Sequence, residues 1–389
     1  MKEVMRMTTN WNYPTTIRFG IGRLNDLADV CRELGMKRPL LISDAGLADL
    51  PIAKRALAGI RNGGLAVGLF SDIKPNPTGK NVEEGLAAYR MGNYDGVIAF
   101  GGGSALDAAK AVALMAGQTR PLWDFEDVGD NWQRVDPGGI APLVAVPTTA
   151  GTGSEVGRAS IIVQEETQTK KIIFHPKMMP QVVVADPETT VGLPPHLTAA
   201  TGMDALSHCL EAYCAPGYHP MADGIAVEGM RLIFEWLPVA VSQGSNLEAR
   251  SHMLAAAGMG ATAFQKGLGA MHSLAHPIGA VYDTQHGLTN AVLMPYVLDF
   301  NRSAIEERIN RLAARLELPF ASFSAFMERV LELRRALGIP QTLRELNIDD
   351  SRAKEIATMA AADPTACGNP IPAGAEEMKT IFLHALRGR

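Results

Sequence analysis

Three of the nine histidines in this 389-residue chain lie within fifteen residues of one another, at positions 272, 276 and 286. His272 and His276 are four residues apart, and this spacing places two side chains on the same face of a helix. His286 follows ten residues later, beyond a turn predicted at Asp283 and Thr284. Clustered imidazoles are typical of transition-metal sites, although such histidines also occur as ordinary core or surface residues.

A carboxylate and a fourth histidine repeat this spacing upstream, in the segment AATGMDALSHCLEAYC of residues 199–214, where Asp204 and His208 are four apart. A carboxylate on the apolar face of a helix is energetically costly unless it is paired or bound to a cation. These two i,i+4 pairs and His286 together form a mixed nitrogen and oxygen ligand set. Because that set suits Fe(II) or Zn(II) better than Mg²⁺ or Ca²⁺, the sequence predicts a transition-metal site.

The elements that must position these residues differ between the two halves of the chain. Strand-like and helix-like runs alternate through the first half, and this alternation predicts a parallel sheet with helices on both faces. After Pro194 and Pro195, only helical periodicity continues to the end. The predicted strands cover residues 13–20, 39–43, 65–70, 96–100, 143–147 and 182–185, with two further β segments around the polar turn EETQTKK in residues 159–174.

Three loops of the first half have the composition of nucleotide-binding loops. Residues 96–115 read as a buried strand, a turn of three glycines and a helix, an arrangement that brings backbone N–H groups close to a phosphate. The turn departs from the GxGxxG fingerprint because Leu106 replaces the third glycine, and it could also be a plain tight turn. The loops PNPT and PTTAGTGSE follow strands as well, and ligands of open α/β sheets bind at the carboxyl ends of the strands.

Asp44 ends an early predicted strand, PLLIS followed by Asp. A carboxylate at this position can accept a hydrogen bond from a ribose hydroxyl and would repel a 2′-phosphate. It can equally cap the next helix. Together with the three loops, these observations predict an α/β plus all-α fold, with a Rossmann-like dinucleotide-binding domain in residues 1–192 and an all-helical metal-binding domain in residues 193–389.

Composition excludes several other classes of protein. The net charge of −5, the pI of about 6.0 and the scattered basic residues argue against nucleic acid or an anionic membrane as a partner. No stretch has the eighteen apolar residues of a membrane span, and the first fourteen residues lack the apolar core of a secretory signal. The four cysteines show no CxxC spacing, so we expect free thiols and a cytoplasmic protein.

Taken together, these motifs resemble those of the iron-containing (group III) alcohol dehydrogenase family. The resemblance rests on GGGSALDAAK, PTTAGTGSE, the Asp204 and His208 segment, and GLGAMHSLAHPIGA followed by His286, at matching spacings over nearly the whole chain. It implies an NAD(P)-dependent dehydrogenase with the two-domain architecture of dehydroquinate synthase-like proteins. The expected reaction is hydride transfer between NAD(H) and a primary alcohol or aldehyde.

The resemblance also implies roles for individual residues. The metal, Fe(II) or alternatively Zn(II), would be bound by Asp204, His208, His272 and His286. His276 corresponds to a family histidine near the nicotinamide, and it could pass the hydroxyl proton to solvent. Asp44 matches the carboxylate that favours NAD over NADP. The remaining cofactor contacts would be Asn76, Gly102, Gly103, Ser104, Asp107, Thr148, Thr149, Thr152 and Lys170, with Lys171 as the alternative to Lys170.

The expected substrate residues are Arg158, Ala159 and Phe264. Gly157 and Ala159 occupy places where family members often carry larger side chains, so we expect a roomier pocket and a primary alcohol or aldehyde of medium length. Arg158 could clamp a carboxylate, which would admit ω-hydroxy acids, or it could be a structural arginine paired with Glu155 or Asp186.

Three alternative functions stay open at this point. A lyase of the dehydroquinate synthase kind would need a Glu/His/His ligand set and a basic cluster, neither of which the helical half provides. A hydroxyacid–oxoacid transhydrogenase of the same family would keep its NAD bound. A non-catalytic nucleotide sensor would not need a complete metal set. A homodimer is also expected, because residues 13–22 can form an edge strand and such segments pair between subunits in this family.

Overall fold

The computed structural model describes Tyr13, residues 15–167 and residues 169–388. Within this part of the chain, one compact unit covers residues 15–193, and the second covers Tyr13 and residues 194–388. Residues 1–12, where most of the signal-peptide argument applies, lie outside the described residues. So do Pro14, in the first predicted strand, and Gln168, in the predicted polar turn.

The first unit alternates strands and helices, as predicted. Its elements are β1 (Thr16–Phe19), α1 (Leu27–Glu33), β2 (Pro39–Asp44), α2 (Ala45–Ala48), α3 (Pro51–Asn62), β3 (Gly68–Ile73), α4 (Gly79–Met91), β4 (Gly96–Gly101), α5 (Gly103–Met115), β5 (Leu143–Pro147), β6 (Ala159–Gln164), β7 (Thr169–Phe174) and β8 (Val182–Ala185).

Six of these strands form one parallel sheet in the order β1-β8-β5-β4-β2-β3. Every residue of β4, β5 and β8 is buried, which explains their continuous apolar sequences, because helices cover both faces of a parallel sheet. Side chains such as Leu41, Ile98 and Val144 are fully buried in this core, and each stabilises the fold by roughly 1.5–3 kcal/mol. β6 and β7 form a separate antiparallel hairpin, as expected from the polar turn between them.

The second unit is helical. Its helices are α6 (Pro195–Cys214), α7 (Pro220–Ser242), α8 (Leu247–Ala263), α9 (Ala270–Tyr282), α10 (His286–Arg315), α11 (Phe323–Ala336), α12 (Ala353–Ala362) and α13 (Ala375–Arg387). α6 is buried on all sides from Thr198 to Cys214, so it is the central helix of the unit. The parallel sheet followed by a helical unit confirms the predicted fold class.

The strand β1 lies at one edge of the sheet. Ile17, Phe19 and Ile21 are about half exposed on and next to it, at 42%, 41% and 59%. An apolar edge of this kind favours pairing with another chain, and the homodimer stays a prediction. Among the described helices, none combines the length and apolar character that a membrane crossing requires.

Candidate metal centre and cofactor loops

The central helix α6 carries the first two predicted metal ligands. Asp204 is 2% exposed and His208 is 5% exposed, and their spacing of four residues places both on one face of the helix. A buried carboxylate in this apolar setting requires a partner or a cation. α6 therefore presents an oxygen donor and a nitrogen donor toward the same neighbouring elements.

The third predicted ligand, His272, lies in the first turn of α9 and is 1% exposed. Its ring stacks on that of His208, with 4.7 Å between centroids and 20° between planes. Asp204, His208 and His272 each offer one ligand atom, and these three atoms all lie within 4.8 Å of one another. The structure thus brings together an oxygen and two nitrogens in a geometry that a single ion can bridge.

The fourth predicted ligand, His286, is the first residue of α10. Helix α9 ends at a turn at Asp283, whose φ of 52° is left-handed, and α10 begins after it. This is the turn that the sequence predicts. At the next position, Gly287, any side chain would overlap the carbonyl oxygen of Ala200 in α6. This close approach places His286 Nε2 only 3.7 Å from Asp204 Oδ1.

An asparagine that was not among the predicted site residues lies at the centre of this group. Asn290 Nδ2 is 2.9 Å from Asp204 Oδ1, to which it donates, and 3.2 Å from the Nε2 atoms of both His272 and His286. Asn290 lies one helical turn after His286, so the same i,i+4 spacing that identified the other pairs was present in the sequence. Its contact orients the carboxylate of Asp204.

The donor set fits a borderline divalent ion. One carboxylate and three imidazoles are the ligand types that Fe(II) and Zn(II) accept, and Ca²⁺ or Mg²⁺ would require more oxygen donors. Cys209, one residue past His208, does not belong to the group of ligand atoms that lie within 4.8 Å of one another, and burial raises the pKa of its thiol to about 12. Burial lowers the pKa of His272, but the nearby carboxylates of Glu211, Asp204 and Asp363 outweigh burial and raise it.

The predicted proton-transfer residue, His276, lies one turn beyond His272 in α9. Its Nδ1 is 2.8 Å from Asp363 Oδ2, and its ring stacks on His286 with a centroid distance of 5.4 Å. Burial raises the pKa of Asp363, but hydrogen bonds from His276 and Thr365 hold it below its ordinary value. An ionised Asp363 accepts the Nδ1 proton, so Nε2 is the atom of His276 that is available for proton transfer.

In the first unit, the predicted cofactor residues follow adjacent strands. The strand order reverses between β2 and β4, and ligands of doubly wound sheets bind at the carboxyl ends on either side of such a switch point. Asp44 ends β2 and the glycine turn ends β4, so both lie at this point. Asp44 Oδ1 accepts the N–H of Leu47 at 2.9 Å, which confirms the predicted helix cap. The predicted contact of Asp44 with a ribose hydroxyl stays a prediction.

The three glycines serve different steric needs. Gly101 has a φ of 153°, a conformation that other residues rarely adopt. A side-chain carbon at Gly102 would lie 3.1 Å from Thr149 Cγ2, and one at Gly103 would lie 2.6 Å from Thr152 Cγ2. The turn and the PTTAGTGSE loop therefore pack directly on one another, and glycines are needed for that contact whether or not a phosphate is bound.

Both carboxylate oxygens of Asp107 form contacts within the protein. It accepts hydrogen bonds from Ser154 Oγ at 2.5 Å and from the N–H of Ile161 at 2.9 Å, and it pairs with the buried Lys110 at 3.0 Å. Lys110 also donates to the carbonyl oxygens of Ser154 and Ala159. The observed position of Asp107 thus fixes the loop and β6 to α5, and its predicted pyrophosphate contact has no support in these bonds.

The other predicted cofactor residues follow β3, β4 and β5 or, for Lys170, lie on β7 of the hairpin. Asn76 follows β3 with a left-handed φ of 53°, and Ser104 lies in the first turn of α5. The N–H of Thr148 donates to the carbonyl of Gly101 at 2.9 Å. Lys171 pairs with Glu126 at 2.8 Å, and its neighbour Lys170 points to the opposite face of β7. Their cofactor roles stay predictions.

Glu155, at the end of the PTTAGTGSE loop, is a buried acid that was predicted only as a possible partner of Arg158. It is 4% exposed, and burial raises the pKa of its carboxyl to about 7, although its backbone hydrogen bond and Lys110 oppose the shift. A carboxyl whose pKa is raised on folding contributes stability below its unfolded pKa, near 4.5. That contribution is lost as the pH rises through 7.

Glu155→Gln is therefore expected to stabilise the cofactor-free protein increasingly between pH 5 and pH 8. The rise of the Glu155 pKa from 4.5 to about 7 corresponds to roughly 3 kcal/mol in the free energy of unfolding above pH 7. Urea unfolding at pH 5 and at pH 8 measures the difference in the free energy of unfolding between the variant and the wild type. Glu166→Gln, which changes an exposed glutamate, is the control. An equal effect of Glu155→Gln at the two pH values would contradict the raised pKa.

Of the predicted substrate residues, Arg158 and Ala159 belong to the first unit and Phe264 to the second. The guanidinium of Arg158 lies over the ring of Phe174, 5.6 Å from its centroid. Among the described residues, neither Glu155 nor Asp186 forms an ion pair with Arg158, so the predicted structural pairing is wrong. Both oxygens of Asp186 already accept backbone N–H groups. In the second unit, Phe264 packs on the ring of His208 at 5.1 Å, which places it beside the candidate metal ligands.

Comparison with known proteins finds one family in both units. The family described as “Iron-containing alcohol dehydrogenase” matches residues 14–187, and “Fe-containing alcohol dehydrogenase family, C-terminal” matches residues 198–386. The 4-hydroxybutyrate dehydrogenase of Cupriavidus necator is 38% identical, and the match covers 96% of this chain and 99% of that protein.

Two further proteins are similar over their full length. The NAD-dependent methanol dehydrogenase of Bacillus methanolicus is 35% identical, with 97% of this chain and 100% of that protein covered. The crystal structure of a 1,3-propanediol oxidoreductase has a TM-score of 0.92 at 34% identity, with 97% of this chain and 100% of that chain covered. The similarity in sequence and in fold therefore extends through both units.

Proposed function

Because the chain belongs to the iron-containing alcohol dehydrogenase family, we propose that it is a metal-dependent enzyme that transfers hydride between NAD(H) and a primary alcohol or its aldehyde. The observation that carries this proposal is the buried group of Asp204, His208 and His272, whose ligand atoms lie within 4.8 Å of one another. Iron(II) is the ion that we assign to this group together with His286, and the same donors accept zinc(II).

A divalent ion bound there would supply Lewis acidity, which lowers the pKa of a hydroxyl or polarises a carbonyl. The chain's own residues supply the rest. His276, held at Nδ1 by Asp363 at 2.8 Å, presents Nε2 to take up the hydroxyl proton in the oxidation or to return it in the reduction. The glycine turn and Asp44 hold the dinucleotide at the switch point of the sheet.

We assign the substrate to primary alcohols of medium length, with ω-hydroxy acids included. Arg158 is the reason for including ω-hydroxy acids. Its guanidinium pairs with no carboxylate of the described residues and lies over an aromatic ring. An arginine in this state retains donors for a carboxylate. The similarity to a 4-hydroxybutyrate dehydrogenase agrees with this assignment.

The proposed activity is tested with metal-free enzyme that is restored with Fe(II) or Zn(II) and assayed on alcohols with NAD and on aldehydes with NADH. We expect turnover that requires the metal and uses freely exchanging NAD(H). Absence of turnover with every metal and substrate would contradict the proposal. Turnover only when a hydroxyacid and an oxoacid are both present, with NAD retained on the protein, would identify a transhydrogenase.

Arg158→Ala is expected to lower kcat/KM for 4-hydroxybutyrate about ten- to a hundredfold, because a charge-assisted contact contributes about 1.5–3 kcal/mol. The neutral amide of the same acid should be oxidised at an unchanged rate. Arg120→Ala, which removes an exposed arginine of the same unit, serves as the control. An equal loss on the acid and on the amide would mean that Arg158 is structural and that ω-hydroxy acids are not the substrate.

A further inference from the structure

We propose that Glu211 is a positioning residue for the metal site, which holds the proton of His272 on Nδ1 and so leaves Nε2 as the donor atom to the metal. The proposal rests on the metal site of the proposed function. Glu211 lies on α6, three residues after His208 and seven after Asp204, so all three side chains share one face of the helix. It is 6% exposed, a state that is costly for a carboxylate without partners.

Both oxygens of Glu211 contact the first turn of α9. Oε2 lies 2.6 Å from His272 Nδ1, and Oε1 accepts the N–H of Met271 at 2.7 Å. The helix begins after Gly269, which offers no side-chain cap. Glu211 therefore caps α9 from a neighbouring helix, and its negative charge lies where the helix dipole favours it.

These contacts determine the tautomer of His272. The carboxylate of Glu211 only accepts hydrogen bonds, so Nδ1 must carry a proton and the neutral ring has its lone pair on Nε2. The contact at Nε2, on the opposite side of the His272 ring, agrees with this tautomer. Asn290 must turn its Nδ2 donor toward the carboxylate of Asp204, at 2.9 Å, and the same donor lies 3.2 Å from His272 Nε2.

A carboxylate behind a ligating histidine orients the ring and raises its basicity, and loss of such a partner typically weakens metal binding about 10- to 100-fold. Glu211→Gln keeps the size of the side chain but replaces one acceptor with an NH₂ donor. That donor must face either His272 Nδ1–H or the Met271 N–H, and both are donors. The conflict is relieved when the His272 proton moves to Nε2, which removes the lone pair that the metal needs.

The test combines two measurements that do not depend on activity. The zinc(II) dissociation constant, from competition with a chromophoric chelator, is expected to rise about 10- to 100-fold in Glu211→Gln. The ¹⁵N shifts of the His272 ring in metal-free protein are expected to show the Nδ1–H tautomer in the wild type and its loss in the variant. The His272 signals are assigned from their absence in His272→Gln.

The chain offers a matched control at the other histidine of α9. Asp363 makes the equivalent contact to Nδ1 of His276, which is not an assigned ligand, so Asp363→Asn should leave the zinc dissociation constant within about twofold. An unchanged constant in a folded Glu211→Gln protein, or an Nε2–H tautomer of His272 in the metal-free wild type, would overturn the proposal. If Glu211→Gln does not fold, the ¹⁵N shifts of His272 in the metal-free wild type still test the proposal. A wild type with the expected tautomer that binds no zinc would refute the metal site instead.

Discussion

His272→Ala is expected to lose bound metal and turnover together. The variant removes one of three donor atoms that lie within 4.8 Å of one another, and it leaves the buried carboxylate of Glu211 without its imidazole partner. Loss of a Lewis acid that stabilises developing charge by several kcal/mol lowers the rate by a thousandfold or so. Metal content by elemental analysis and kcat/KM on the same preparation measure both effects.

The control for this variant is His196→Ala, which removes an exposed histidine near the start of the same helical unit. It should retain metal and rate. A His272→Ala protein with full metal content and an unchanged rate would show that the ligand assignment is wrong.

His276→Ala is expected to retain the metal and to lower kcat by about a hundred- to ten-thousandfold, the usual contribution of a positioned acid or base. The reason is the different environment of the two histidines of α9. Nε2 of His272 lies 3.9 Å from Asp204 Oδ1, whereas His276 is held by Asp363 and only stacks on His286. Metal analysis together with kcat separates the two roles.

Two outcomes bear on this second prediction. If His276→Ala lost the metal and His272→Ala retained it, His276 would be the ligand and His272 the residue for proton transfer. A rate close to that of the wild type with bound metal would assign the proton transfer to another group.

The buried group of Asp204, His208 and His272 was predictable from sequence because most of the signal is local. The i,i+4 spacing of Asp204 and His208 can be read directly from the sequence, in a segment that forms a helix with no exposed face. The turn at Asp283, which separates α9 from His286, was also predictable. Glu211 and Asn290 carried the same helical signal, at three and four residues from predicted ligands. Asp363 carried none, because it reaches His276 from 87 residues away.

The first unit shows the same division between local and tertiary information. The glycine turn and the alternation of strands were predictable, but β3 begins at Gly68 and not at Leu65, because buried apolar residues in a connection look like those in a strand. The pairing of Arg158 with Asp186 was wrong because backbone N–H groups of Leu24 and Glu188 occupy that carboxylate. Such competition for an acceptor depends on tertiary packing.

The location of the metal tests the central claim most directly, and anomalous diffraction from crystals of zinc(II)-loaded protein measures it. We predict one strong peak in the helical unit, at about 2.0–2.2 Å from a carboxylate oxygen of Asp204 and from Nε2 of His272. Nitrogens of His208 and His286 should complete the coordination. A peak bound by other side chains, or a peak from which Asp204 and His272 are absent, would contradict the assignment of this centre.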